Sequence, residues 1–113
     1  MEHAFSVSVE SDGQYSVVSV VGEIDSATAP DLRDGLHEAI AAGPSLLVVD
    51  LLQVTFIDST ALGVLIEASQ RAEAEGQTMR IVVSEPRILK VFEITGLTEI
   101  FAIRTSREEA VEG

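Results

Sequence analysis

Residues 46–65 read LLVVDLLQVTFIDSTALGVL, and the hydrophobic period changes within them. Leu46 to Leu51 form a near-continuous apolar run, the pattern of a strand buried on both faces. After a short loop, from about residue 59 to 75, Ala61, Leu62, Leu65, Ser69 and Ala72 share one stripe at helical spacing, with Gly76 as C-terminal cap. A buried strand running into an amphipathic helix is half of a crossover unit, which predicts parallel strands.

The flanks extend the pattern. Upstream, Phe5, Val7 and Val9 alternate with polar residues, Ser11-Asp12-Gly13-Gln14 supplies turn chemistry, and a Val-rich run occupies Tyr15 to Ile24, so a hairpin is expected. Ser26, Thr28 and Pro30 then precede Leu32, Leu36 and Ile40 at helical spacing, and Gly43-Pro44 ends that helix. Downstream, Met79 to Val83 reads as a fourth strand. Pro86 opens a helix carrying Ile88, Leu89, Phe92 and Ile94, and Gly96 closes it. Ile100 to Ile103 gives a last strand, and Ser106-Arg107-Glu108-Glu109 begins a short helix.

The order ββαβαβαβ(α) predicts one α/β domain over residues 1–113: a mixed sheet with an N-terminal antiparallel hairpin, parallel strands and helices packed against it. No repeat or low-complexity linker interrupts it. In such sheets function gathers beyond the C-terminal ends of the strands, and Asp25, Asp50 and Asp58 are each expected at or beyond such an end.

Composition excludes several classes of function. Nineteen Asp and Glu against seven Lys and Arg give a net charge of −12, which opposes binding to nucleic acid and to anionic membranes and favours a partner with a basic surface. Without Cys there are no disulfides, thiolate zinc sites or thiol nucleophiles, which suits the cytoplasm. The N-terminus lacks signal-peptide pattern, and the apolar run near Leu46 to Leu52 is broken by Asp50 and far short of the roughly 20 residues of a spanning helix. Four Phe, one Tyr and no Trp point to an aliphatic core rather than an aromatic cofactor pocket.

The polar group Asp58-Ser59-Thr60 therefore stands out. One of the three is expected to cap the second helix, since a side-chain oxygen there accepts from the free N–H groups of the first turn. One cap needs one residue, and Gly63 follows although glycine inside a helix costs about 1 kcal/mol relative to Ala. A helix starting near Ser59 puts Ser59 and Gly63 on one flank, leaving bare surface beside a hydroxyl for another protein to approach. A catalytic serine needs a base, but His3 lies near the terminus, His37 is expected on the outer part of the first helix, and GxSxG is absent. The scattered aspartates lack a phosphate-cradling loop, so no metal or cofactor is expected. Asp50 as an aspartyl-phosphate acceptor is disfavoured because a hairpin replaces the leading parallel strand of that design. A hydroxyl at a helix start without catalytic machinery is a substrate for a kinase, and the chain is expected not to be an enzyme.

Three segments carry a resemblance that covers about Phe5 to Glu109: VVGEIDSATAPDL (Val20 to Leu32), LLVVDLLQVTFIDSTALGVL and RILKVFEITGLTEIF (Arg87 to Phe101). The chain resembles bacterial anti-sigma factor antagonists of the sulphate transporter and anti-sigma antagonist (STAS) domain family. The resemblance implies that Ser59, after Asp58, is phosphorylated by an anti-sigma factor that is also a serine kinase, and that Asp25 lies near that site. It also implies a cycle in which the unmodified protein binds the anti-sigma factor and frees a sigma factor, phosphorylation ends the binding, and a serine phosphatase restores it. Asp25, Ser26, Asp58, Ser59, Thr60 and Gly63 are the expected partner-binding residues. Ala61 departs from the glycine of many relatives, with consequences for backbone freedom or kinase fit. Thr60 is the rival acceptor, pointing about 100° further round the helix, away from the core. The competing readings are a non-switching STAS interaction module of a transport or scaffold assembly and, last, a small-ligand sensor.

Overall fold

The computed structural model describes residues 5–112; His3, considered above as a base, lies outside them. Strands β1 (Ser6–Asp12) and β2 (Tyr15–Ile24) form the expected antiparallel hairpin, reversed through Gly13, at φ +59°, and Gln14. The chain continues through α1 (Ala29–Ala41), β3 (Leu46–Ile57), α2 (Ser59–Ala74), β4 (Thr78–Val82), α3 (Pro86–Ile94), a 3₁₀ turn (Leu97–Glu99), β5 (Ala102–Arg104) and α4 (Arg107–Glu112). The strands lie in the order β1-β2-β3-β4-β5, and β2 joins β3, β4 and β5 in the parallel part.

Because each crossover has the same hand and steps the same way across the sheet, α1, α2 and α3 share one face. That face holds the main core. Val18, Val20, Leu47, Val49, Leu51, Ile81 and Val83 meet Leu32, Leu36, Leu65 and Phe92 there. The alternate residues Val17, Val48 and Val82 point to the other face, where Ala110 of α4 packs on them. On α2 the buried stripe uses Ala68 where Ser69 was expected, and Gly76 takes the left-handed conformation, φ +75°, after the helix end. The exposed Ile94 and Ile100 lie outside the core, so the last strand begins later than its apolar pattern suggested, at Ala102.

The largest departure from expectation is β3. It runs on to Ile57, so Asp50 sits inside the strand and not at its end. Gln53 and Thr55 made the segment look like a loop, but ten-residue β2 offers pairing partners along its whole length. Ser19 pairs with Asp50 and Val21 with Gln53, then Gly22 with Val54 and Glu23 with Phe56, so β3 carries an extra residue at two bulges. At the first bulge the Asp50 carboxylate accepts from Leu52 N–H at 2.9 Å. Its other oxygen accepts from Arg107 Nε of α4 at 2.6 Å, and Arg107 Nη2 donates to Ser19 Oγ at 2.6 Å.

Asp50 thus braces the bulge and bolts α4 to the sheet. Replacing Arg107 by alanine leaves this nearly buried carboxylate without its cation, and a loss of about 2 kcal/mol in a denaturant titration is expected, moderated because Arg107 is itself half exposed. An unchanged midpoint would contradict the bolt.

Two glycines within helices behave oppositely. A Cβ on Gly35, in α1, would stand 2.6 Å from Val7 Cγ1 on β1, and that β-branched side chain has little freedom to move aside. Gly35→Ala should therefore cost about 1–2 kcal/mol despite its better helix propensity. Gly63 has nothing within 4 Å of such a Cβ. Gly63→Ala should stabilise the free protein by about 0.5–1 kcal/mol. Equal signs for the two variants in one unfolding series would refute the contrast.

Candidate functional site

The ends of β2 and β3 come together at one edge of the sheet. Ile24 pairs with Ile57, and the Asp58 N–H donates to Ile24 O at 3.2 Å, so the Asp25 turn and the start of α2 leave the sheet side by side. The Asp25 carboxylate folds into its own turn, accepting from Ala27 N–H at 2.9 Å and Thr28 N–H at 3.1 Å. Thr28 Oγ1 accepts from Asp25 N–H and donates to Glu23 O at 2.9 Å. This polar knot satisfies the backbone between β2 and α1 and leaves Ser26 exposed at the bend.

The division within Asp58-Ser59-Thr60 is now explicit. Asp58 is the N-cap, its Oδ1 accepting from Ala61 N–H at 3.0 Å. Ser59 and Thr60, the first two helical residues, are exposed, and neither hydroxyl hydrogen-bonds any described residue. A cap supplied by Asp58 leaves both hydroxyls free for chemistry. Ala61 is fully buried, with its methyl in the core, so the substitution at this position does not face a docking partner.

Thr60 and Gly63 line a shallow groove of about 270 Å³ between α1 and α2, together with Arg33, Val64 and Glu67. Across it His37 Nε2 stands 3.0 Å from Glu67 Oε1. His37 is thus half-buried between helices and not on the outer part of α1. The His37 hydrogen bond, aided by the positive charges of Arg71 and Arg33 and by any charge on His37, holds the Glu67 carboxyl below its ordinary value against a smaller opposing effect of burial. Glu67 therefore stays anionic at neutral pH and faces the guanidinium of Arg33 within the groove, with Arg71 also close enough to act on it.

Among the described residues, no group of His, Cys, Asp or Glu is arranged to hold a metal ion, and no helix is long and apolar enough to cross a membrane. Asp50 is the site aspartate that the fold removes, since it is committed to Arg107. Phe56 is a residue the pattern hid. The sequence pattern assigned it no role, yet at the second bulge it is 48% exposed, two residues before Asp58.

The five-stranded mixed sheet with this crossover order is that of a known domain class: the chain belongs to the STAS domain family, whose model matches residues 6–110. Among its relatives, the anti-sigma-B factor antagonist of Listeria monocytogenes is 32% identical over 100 residues, 88% of each chain. The anti-sigma-B factor antagonist of Bacillus subtilis is 33% identical over 95 residues, 84% of this chain and 86% of the relative. The crystal structure of an anti-sigma factor antagonist from Mycobacterium paratuberculosis superposes with a TM-score of 0.88 at 31% identity, covering 96% of this chain and 92% of that one.

Proposed function

We propose that this chain is a cytoplasmic anti-sigma factor antagonist switched off by phosphorylation of Ser59. Unmodified, it binds an anti-sigma factor that is also a serine kinase and so releases a sigma factor. The kinase, carrying Mg-ATP, transfers the phosphoryl group to the Ser59 hydroxyl; a serine phosphatase removes it and restores binding. The chain is substrate and ligand in this cycle.

The observation that carries the proposal is the pairing of roles at the helix start, where Asp58 does the capping and Ser59 is left exposed with an uncommitted hydroxyl. The likeness to anti-sigma factor antagonists supports an anti-sigma factor as the partner. Asp25, Ser26, Asp58, Ser59, Thr60 and Gly63 form the contact surface in this reading, and it extends to exposed Phe56 and to Arg33, which lines the groove with Thr60 and Gly63. Bare Gly63 admits the partner's backbone, so Gly63→Ala should weaken binding while stabilising the free protein.

Incubation with the cognate kinase and Mg-ATP, followed by mass spectrometric mapping, should place one phosphoryl group on Ser59 and none on the Ser59→Ala variant. Modification confined to Thr60, or none at all, would overturn the assignment.

A further inference from the structure

The two faces of the sheet are covered unequally. Three helices pack on one, whereas on the other the six-residue α4 packs on β3, β4 and β5, reaches β2 at Val17 and Ser19, and leaves most of the β1–β2 hairpin uncovered. Strand alternation turns Glu10, Asp12, Tyr15 and Val17 to this bare side, as the pairs Glu10↔Val17 and Asp12↔Tyr15 record.

Between the hairpin and α4 lies a cleft of about 510 Å³. Its floor is apolar, with part-exposed Tyr15 over the buried Val17 and Val48, and Val111 of α4 faces it while 41% exposed. Its rims are acidic: Glu10 and Asp12 on the hairpin side, Glu108 and Glu112 on the α4 side. Arg107 is the sole basic residue lining it, and its guanidinium is already engaged by Asp50 and Ser19.

We infer that this cleft seats a basic amphipathic helix of a partner protein, lying beside α4. Such a helix completes the half-built layer, places its apolar stripe on Tyr15 and Val111 above the buried Val17 and Val48, and sets flanking Lys and Arg against both acidic rims. A second copy of this chain does not fit, because it brings the same carboxylates and a net charge of −12 to the contact. The cleft lies where β2 and β3 begin, at the opposite end of these strands from Ser59. Its occupancy is therefore separate from the switch and compatible with it.

The test uses the full chain, isotope-labelled for NMR, and a synthetic Leu/Lys peptide of about 14 residues, long enough for roughly four helical turns. Binding should shift the amides of Tyr15, Val17, Val48 and Val111, and Ser59→Asp should leave the affinity unchanged. The Glu108→Lys/Glu112→Lys double variant should bind about tenfold more weakly. Glu10→Lys, on the opposite wall, should also weaken binding without touching α4, which separates lost recognition from a lost helix. A scrambled peptide binding as well as the amphipathic one, shifts spread over the remote acidic surface, or indifference to both charge reversals would overturn the inference.

Discussion

Phosphorylated Ser59 should bind the anti-sigma factor about 100-fold more weakly than the unmodified protein, or worse. A phosphoryl group adds about −1.5 to −2 charges and a tetrahedral group at the centre of the proposed contact surface, which already carries Asp58 and Asp25. The two effects on the free protein oppose each other, since the N-terminal end of α2 attracts the dianion and the neighbouring carboxylates repel it. Thermal unfolding of the modified and unmodified forms should therefore differ little, and the loss should appear in binding. Calorimetric titration of both forms against the same anti-sigma factor measures it directly. Ser59→Ala should retain binding. Ser59→Asp should fall between, having less charge and fewer acceptor oxygens than the phosphoryl group. If the phosphorylated protein binds within about threefold of the unmodified one, a charge-operated switch at this helix start is wrong.

Phe92→Ala should cost about 3–5 kcal/mol, the largest stability effect among the substitutions considered. α3 is only nine residues long and buries Ile88 and Phe92, so Phe92 is its main attachment to the sheet. The ring is fully buried and packs edge-on against Phe101, with centroids 6.0 Å apart, tying the helix to the chain just before β5. Truncation removes the buried ring area and the edge-to-face contact, and it opens a void that a closely packed core, rich in β-branched residues, fills only in part. Domains of this size hold roughly 5–15 kcal/mol in total, so the melting temperature should fall by about 10–20 °C. Phe92→Leu should lose distinctly less. Near-equal stability of the alanine variant and the parent would show that α3 is not held by this residue.

Much of the architecture was legible because apolar spacing reports burial directly. The valine run of β2, the Leu32-Leu36-Ile40 stripe of α1, Gly76 after α2 and Pro86 at the start of α3 all mark elements seen in the structure. The failures share a cause. Gln53 and Thr55 broke the apolar run of β3 because bulges shift which residues face the core, and a bulge depends on pairing with β2, remote in sequence. Ile94 and Ile100 are apolar yet exposed, since neither falls against the sheet once α3 and the 3₁₀ turn are placed.

For the site, the sequence alone determined that an acid, two hydroxyls and a glycine stand at the head of a helix, because N-terminal capping chemistry and helical period are local properties. Which of them caps required the geometry of the first turn: Asp58 reaches Ala61 N–H, and both hydroxyls remain free. Three further placements required the tertiary structure because they join residues far apart in the chain. These are Asp50 held by Arg107, His37 by Glu67, and the Asp25 turn beside Asp58. Local periodicity carries the energetics of a single helix or strand. A bulge, an ion pair across 57 positions and an exposed Phe56 arise only when the sheet sets those elements in register.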